Sequence, residues 1–133
     1  MIVLDTHVLL WLDRHDPSLG RKAIAIAADA LAAVALAASA ITFWEVALLL
    51  RKRRLQLKLP VARWRRDFVD QGLVELPVTG AIGIAAVGLA DFHADPADRM
   101  IVATVQEIGA TLLTADEKIL AWPGRLDRRD ARV

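Results

Sequence analysis

Four short apolar runs limit what this chain can become. They are "MIVLD" at the N-terminus, "VALAASA" at 34–40, "LVELPV" at 73–78 and "ATLLTAD" at 110–116. Each has strand length, and uninterrupted apolar strands suit a sheet buried on both faces. Periodicity by itself leaves "VALAASA" open between a strand and a piece of buried helix. Between the runs lie longer segments with apolar residues at three- and four-residue spacing, the mark of helices that bury one face. Parallel neighbours in a sheet need crossovers of that length. The order β-α-α-β-α-α-β-α-α-β-α therefore predicts a three-layer α/β/α sandwich with a central parallel sheet.

Punctuation residues place the helices. "THVLLWLD" opens the first, and "DPSLG" interrupts it, with Asp16 and Ser18 as possible caps and Pro17 as a helix start. An Ala-rich helix follows over 19–33. "ITFWEVALLLRKRR" ends in cations, which suit a helix C-terminus. "LQLKL" alternates in the manner of an extended segment. Pro60 opens a helix that runs to about Gln71 and is closed by Gly72. "TGAIGIAAVGLA" is a helix weakened by Gly80, Gly83 and Gly88. "DPADRMIVATVQEIG" is well marked, with Asp95 as N-cap, Pro96 just inside and Gly109 at the end. A short helix follows Asp116, and the polar, Arg-rich tail from Pro123 is expected to fray. No repeat or linker divides the 133 residues, so one domain over 1–133 is expected.

Composition excludes several classes. A hydrophobic content of 56% argues against disorder. The chain has no cysteine, which rules out disulfides and thiolate metal sites and is compatible with a reducing compartment. Ala30 to Leu50 is long enough to span a membrane, but Ser39, Thr42 and Glu45 interrupt it, and a strand running into a helix accounts for it better. The N-terminus lacks a basic region and carries Asp5 where a signal peptide would be apolar, so a cytoplasmic protein without membrane contact is expected.

The acids carry the chemistry. Asp5 and Asp116 close apolar runs, Asp98 lies in a first helical turn, and Glu45 lies about one turn into the helix after the second run. Ligands of parallel α/β folds bind beyond the carboxyl ends of the strands, so these acids can reach one edge. A lone acid at such a place is commonly a cap. A converging set repels itself unless protonated or bridged by cations. Hard ions such as Mg²⁺ or Mn²⁺ take carboxylate oxygens, and ion pairs about 4 Å apart hydrolyse phosphodiesters. Thr6, Ser39, Thr114 and Asp95 lie beside these acids, either as caps or as groups that orient the carboxylates and their waters.

Asp5 in "LDTHVLLW", Glu45 in "SAITFWEVALL", Asp98 in "HADPADRMIVATVQEIGATLLTAD" and Asp116 at its close resemble the PIN domain. The resemblance is greatest to the VapC-type ribonuclease toxins of bacterial toxin–antitoxin pairs and runs from about Ile2 to Leu120. It implies a three-layer α/β/α fold and a divalent-metal-dependent endoribonuclease. It implies further that Asp5, Glu45, Asp98 and Asp116 form the catalytic, metal-binding quartet. A homodimer and a cognate antitoxin, whose C-terminal segment covers the active-site groove, are also implied.

Residues 51–66 hold eight of the 17 lysines and arginines and no acid. That run is either a solvated face or a phosphate footprint with Trp64 available for stacking. Arg51, Lys52, Arg53, Arg54 and Arg99 are the candidate RNA contacts, and Arg99 is also placed to pair with Asp98. His93 reads as a loop histidine able to orient Asp95 or a phosphate, and the histidines lack zinc-ligand spacing. The glycines form no dinucleotide fingerprint, and neither serine lies in a nucleophile elbow. Two alternatives stay open. A phosphatase of the haloacid-dehalogenase type would use Asp5 as nucleophile but wants an acid where His7 stands. A non-catalytic domain would use the acids only to hold metal.

Overall fold

The computed structural model describes residues 1–133. In chain order the elements are β1 (Ile2–Leu4), α1 (Thr6–Arg14), α2 (Arg21–Ala32), β2 (Leu36–Ser39), α3 (Ala40–Arg51) and α4 (Val61–Asp70). They continue with β3 (Val74–Leu76), α5 (Gly80–Val87), α6 (Pro96–Ile108), β4 (Thr111–Thr114), α7 (Glu117–Leu120) and β5 (Arg128–Asp130). The strands form one sheet in the order β3-β2-β1-β4-β5, and every pairing is parallel.

Strand alternation divides the core in two. Leu4, Leu36, Ala38 and Leu113 face Val8 and Leu9 of α1, Ala23 and Ala27 of α2, Val46 of α3 and Trp64 of α4. Val3, Ala37 and Leu112 face the other way, onto Ile101, Val102 and Val105 of α6 and Ile119 of α7. Successive residues of a strand point to opposite faces, so continuous apolar runs produce two buried faces and hence three layers. α6 starts and stops as its sequence dictates. The Asp95 side chain accepts from the Asp98 N–H at 3.0 Å, Pro96 follows, and Gly109 ends the helix at φ 66°.

The C-terminal tail departs from expectation. It does not fray but forms β5 on the edge of the sheet beside β4. The Leu112 N–H donates to the Asp127 carbonyl at 2.9 Å, and the Ala131 N–H donates to that of Thr114 at 2.8 Å. An edge strand held by its backbone needs no apolar pattern, and that is why "RRD" gave no signal. Beyond it, Ala131 is buried, and the Ala131 and Val133 carbonyls accept from the Gly20 and Lys22 N–H groups at 2.8 and 3.0 Å. These bonds seat the tail at the start of α2, where the expected side-chain cap is missing. Asp16 binds the Ser18 N–H in a turn instead, and Gly20 is the N-cap. "LQLKL" belongs to no strand; Leu55 and Leu57 pack on the core and the Gln56 carbonyl accepts from Arg14 at 2.8 Å. The apolar stretch from Ala30 to Leu50 is divided among α2, β2 and α3, and no helix is long and apolar enough to cross a membrane.

The docked tail makes a prediction. A Cβ at Gly20 would run into the Val133 main chain. Gly20→Ala should lower unfolding stability by about 1–3 kcal/mol, the usual range for overpacking. An unchanged denaturation midpoint would show that the tail does not dock there.

Candidate functional site

The sheet brings the acids together at its carboxyl end. Asp5 follows β1 and caps α1, with Oδ1 accepting from the Thr6 N–H at 2.8 Å. Its Oδ2 accepts from the Thr114 hydroxyl at 2.6 Å. Thr114 ends β4, and its oxygen also accepts from the Asp116 N–H at 3.1 Å, so one hydroxyl ties two acids. Asp116 caps α7 through the Lys118 and Ile119 N–H groups. Asp98 stands in the first turn of α6, its Oδ2 2.7 Å from Nε2 of His93. Glu45 projects from α3, and its Oε1 is buried with no hydrogen-bond partner. These side chains line one cleft of about 350 Å³, together with His7, Trp11, Asp95 and Ala115.

Two sets of groups bring their ligand atoms within 4.8 Å of one another: Glu45–Asp95–Asp98 and His93–Asp98–Asp116. Asp98 belongs to both. Asp5 lies in neither set but lines the same cleft. Burial pushes the Asp98 carboxyl up to about 7, against the His93 hydrogen bond and helped by the charges of Asp5, Asp95 and Asp116. Burial likewise raises Glu45, against the Thr6 hydroxyl and helped by the charges of Asp5 and Asp95. Burial raises Asp5 despite its bonds to Thr114 and Thr6. The cleft thus resists carrying its full negative charge. Oxygen donors of this kind, with a buried unpartnered Glu45 oxygen among them, fit a hard divalent cation.

The flanking candidates separate. Thr114 holds Asp5, and the Thr6 hydroxyl lies 3.0 Å from that of Thr42 beneath the cleft. Asp95 both caps α6 and joins an acidic set. The Ser39 hydroxyl caps α3 through the Ile41 N–H and is not one of the groups lining the cleft. Arg51, Lys52, Arg53 and Arg54 are exposed at the far end of α3 from its N-cap.

Arg99 does not pair with Asp98. Its guanidinium donates to the carbonyls of His93, Phe92, Ala86, Leu89 and Val87 at 2.6–3.4 Å. The connection from α5 to α6 crowds these carbonyls together, and the five-donor guanidinium fork serves them all, whereas pairing with Asp98 would turn donors away from them. Trp64 is no stacking platform: it is 5% exposed and meets Phe43 and Phe68 edge to face. His93 is more than a loop residue. It stacks on Phe92 at 4.4 Å and holds Asp98 rather than Asp95. The available signal was its place two residues before the Asp95 cap, close in sequence to the first turn of α6 that holds Asp98.

If Thr114 orients the acids, Thr114→Val should weaken Mn²⁺ binding and any metal-dependent activity by about 10- to 100-fold, as loss of such a partner does elsewhere. Thr114→Ser should restore both. Equal affinities for all three proteins would reduce Thr114 to packing.

Known proteins resemble this chain in sequence and in fold. A model of the PIN domain matches residues 2–123. Ribonuclease VapC22 of Mycobacterium tuberculosis is 33% identical, over 89% of this chain and 88% of its own. VapBC2 from Rickettsia felis, in a crystal structure bound to a DNA fragment from its promoter, superposes with a TM-score of 0.67 at 17% identity. That match covers 97% of this chain and 98% of the other. A toxin–antitoxin complex from Klebsiella pneumoniae gives 0.62 at 21% identity, covering 92% and 93%. With the family model spanning residues 2–123 and a one-third-identical relative aligned over 89% of the chain, the chain belongs to the PIN domain family.

Proposed function

We propose that this chain, acting in the cytoplasm as one nuclease domain over residues 1–133, is the toxin of a toxin–antitoxin pair and hydrolyses RNA phosphodiester bonds with Mg²⁺ or Mn²⁺. The carrying observation is the convergence of Asp5, Glu45, Asp98 and Asp116 on one cleft at the carboxyl end of the sheet. The one-third identity to a protein named ribonuclease supports the RNA substrate. The toxin–antitoxin complexes among its structural relatives support a cognate antitoxin, and a homodimer is part of the same proposal.

Asp5, Glu45, Asp98 and Asp116 would hold the ion, with Asp95 and His93 adjoining them. A bound divalent ion would supply charge neutralisation for the scissile phosphate and an acidified water. In the ion-free cleft burial raises Asp98, and a bound ion would favour its ionised form, the form that can ligate the ion and accept a hydrogen bond from the attacking water. Thr114 keeps Asp5 oriented, and Thr6 and Thr42 support the cleft from below.

The test is incubation of purified protein with total cellular RNA, with and without Mn²⁺ or Mg²⁺. Discrete, metal-dependent fragments are expected. Intact RNA under every condition, with phosphate released from a small ester instead, would overturn the nuclease in favour of a phosphatase.

A further inference from the structure

An acidic cleft repels the polyanion it is proposed to cut, so an RNA strand needs a grip elsewhere. The structure offers one along α1. His7, Trp11 and Arg14 follow one another at four- and three-residue spacing, which puts them on a single helical face. His7 and Arg14 are exposed and Trp11 is half-buried. His7 and Trp11 line the acidic cleft. Arg14, at the other end of the helix, lines a second pocket with Arg53, Arg54, Leu55 and Gln56.

α1 and α3 run side by side between these two places. Thr6 and Thr42 join their first turns at 3.0 Å, and Arg14, the last residue of α1, donates to the Gln56 carbonyl at 2.8 Å beyond the end of α3. At 1.5 Å per residue Arg14 stands about 12 Å along the helix axis from Thr6, the residue that follows Asp5. It contains no carboxylate, and none of Arg14, Arg53 and Arg54 is in an ion pair. Arg53 also sits at φ 57°, a left-handed conformation that glycine would take without strain.

We propose that this face of α1 is the path of single-stranded RNA out of the acidic cleft. A base stacks on Trp11, and the adjoining backbone phosphates sit against Arg14, Arg53 and Arg54. An aromatic platform next to unpaired cations is the arrangement that holds single strands without reading sequence. The proposal rests on the nuclease reading above and adds the direction of the strand and the residues that hold it.

The test is fluorescence anisotropy of a short, mixed-sequence, single-stranded RNA with the full chain in EDTA, where nothing is cut, across a range of salt. Trp11→Leu should weaken binding roughly tenfold with the salt slope unchanged, and Trp11→Phe should retain most of it. Arg14→Gln and Arg53→Gly should each weaken binding and flatten the slope by about 0.7. Arg53→Gly should do so with no loss of thermal stability, since it relieves the backbone; this separates lost contact from lost fold. Tight binding by the parent with all variants unchanged overturns the path and leaves the nuclease standing. Duplex RNA, or an acidic peptide of equal charge, bound as well and through Trp11 alike overturns the assignment to a single strand. A parent that neither binds nor cuts RNA overturns both.

Discussion

Asp98→Asn protein should cut RNA at least about 10³-fold more slowly than the parent, because a catalytic ion supplies several kcal/mol and each 1.36 kcal/mol is tenfold in rate. Asp98 is the residue to change because it alone belongs to both sets of candidate ligands, so neutralising it takes a carboxylate from each. Asparagine keeps the shape and leaves an oxygen to face Nε2 of His93, which now lies 2.7 Å away. The Asp95 cap on the backbone N–H of residue 98 does not involve the side chain that changes. The variant should therefore fold as the parent does. Both proteins must be purified identically and compared on the same RNA by initial rate. Undiminished cleavage by the variant would reject the site. Loss of cleavage with full retention of RNA binding in EDTA would place the defect in the chemistry. Failure of the parent to cut RNA or any ester, with metal still bound, would make this a binding domain.

Much of that site was legible because each acid is fixed by local rules. Asp95, Pro96 and Gly109 bracket α6 and so place Asp98 in a first turn, and strand-ending acids fall at the carboxyl edge of any parallel sheet. What was not legible depends on contacts distant in sequence or on the backbone alone. β5 pairs by main-chain bonds and shows no apolar alternation. Trp64 sits in a basic run, yet the apolar phase of α4 turns it onto Phe43, a residue of another helix. Arg99 is adjacent to Asp98 in sequence, but neighbours on a helix do not face each other, and its fork finds the carbonyls of the preceding connection. Thr114 and Asp5 are 109 residues apart and meet only because β1 and β4 are neighbours in the sheet.

The raised acids make a second large effect measurable without any substrate. Asp98 loses its proton near 3.8 in the unfolded chain and near 7 in the folded one. Between those values the folded state holds the extra proton, so this group's contribution to stability falls as pH rises across that window. Glu45 and Asp5 are raised for the same reason and act in the same direction. Acids held low by arginines, Glu75 by Arg65 and Asp130 by Arg132, act in the opposite direction as pH falls. The site's share is therefore read as a difference, the melting temperature of Asp98→Asn minus that of the parent in EDTA. It should be near zero at pH 4 and grow as pH rises to 8, the variant becoming the more stable protein. A divalent ion bound by the ionised acids should reverse this in the parent. At an ion concentration about 100-fold above Kd the gain is about 2.7 kcal/mol. That gain should be large at pH 8 and small at pH 5, where protons compete for the same oxygens. A difference curve that stays flat with pH, together with an ion effect no greater at pH 8 than at pH 5, would mean that these carboxylates neither crowd one another nor share an ion.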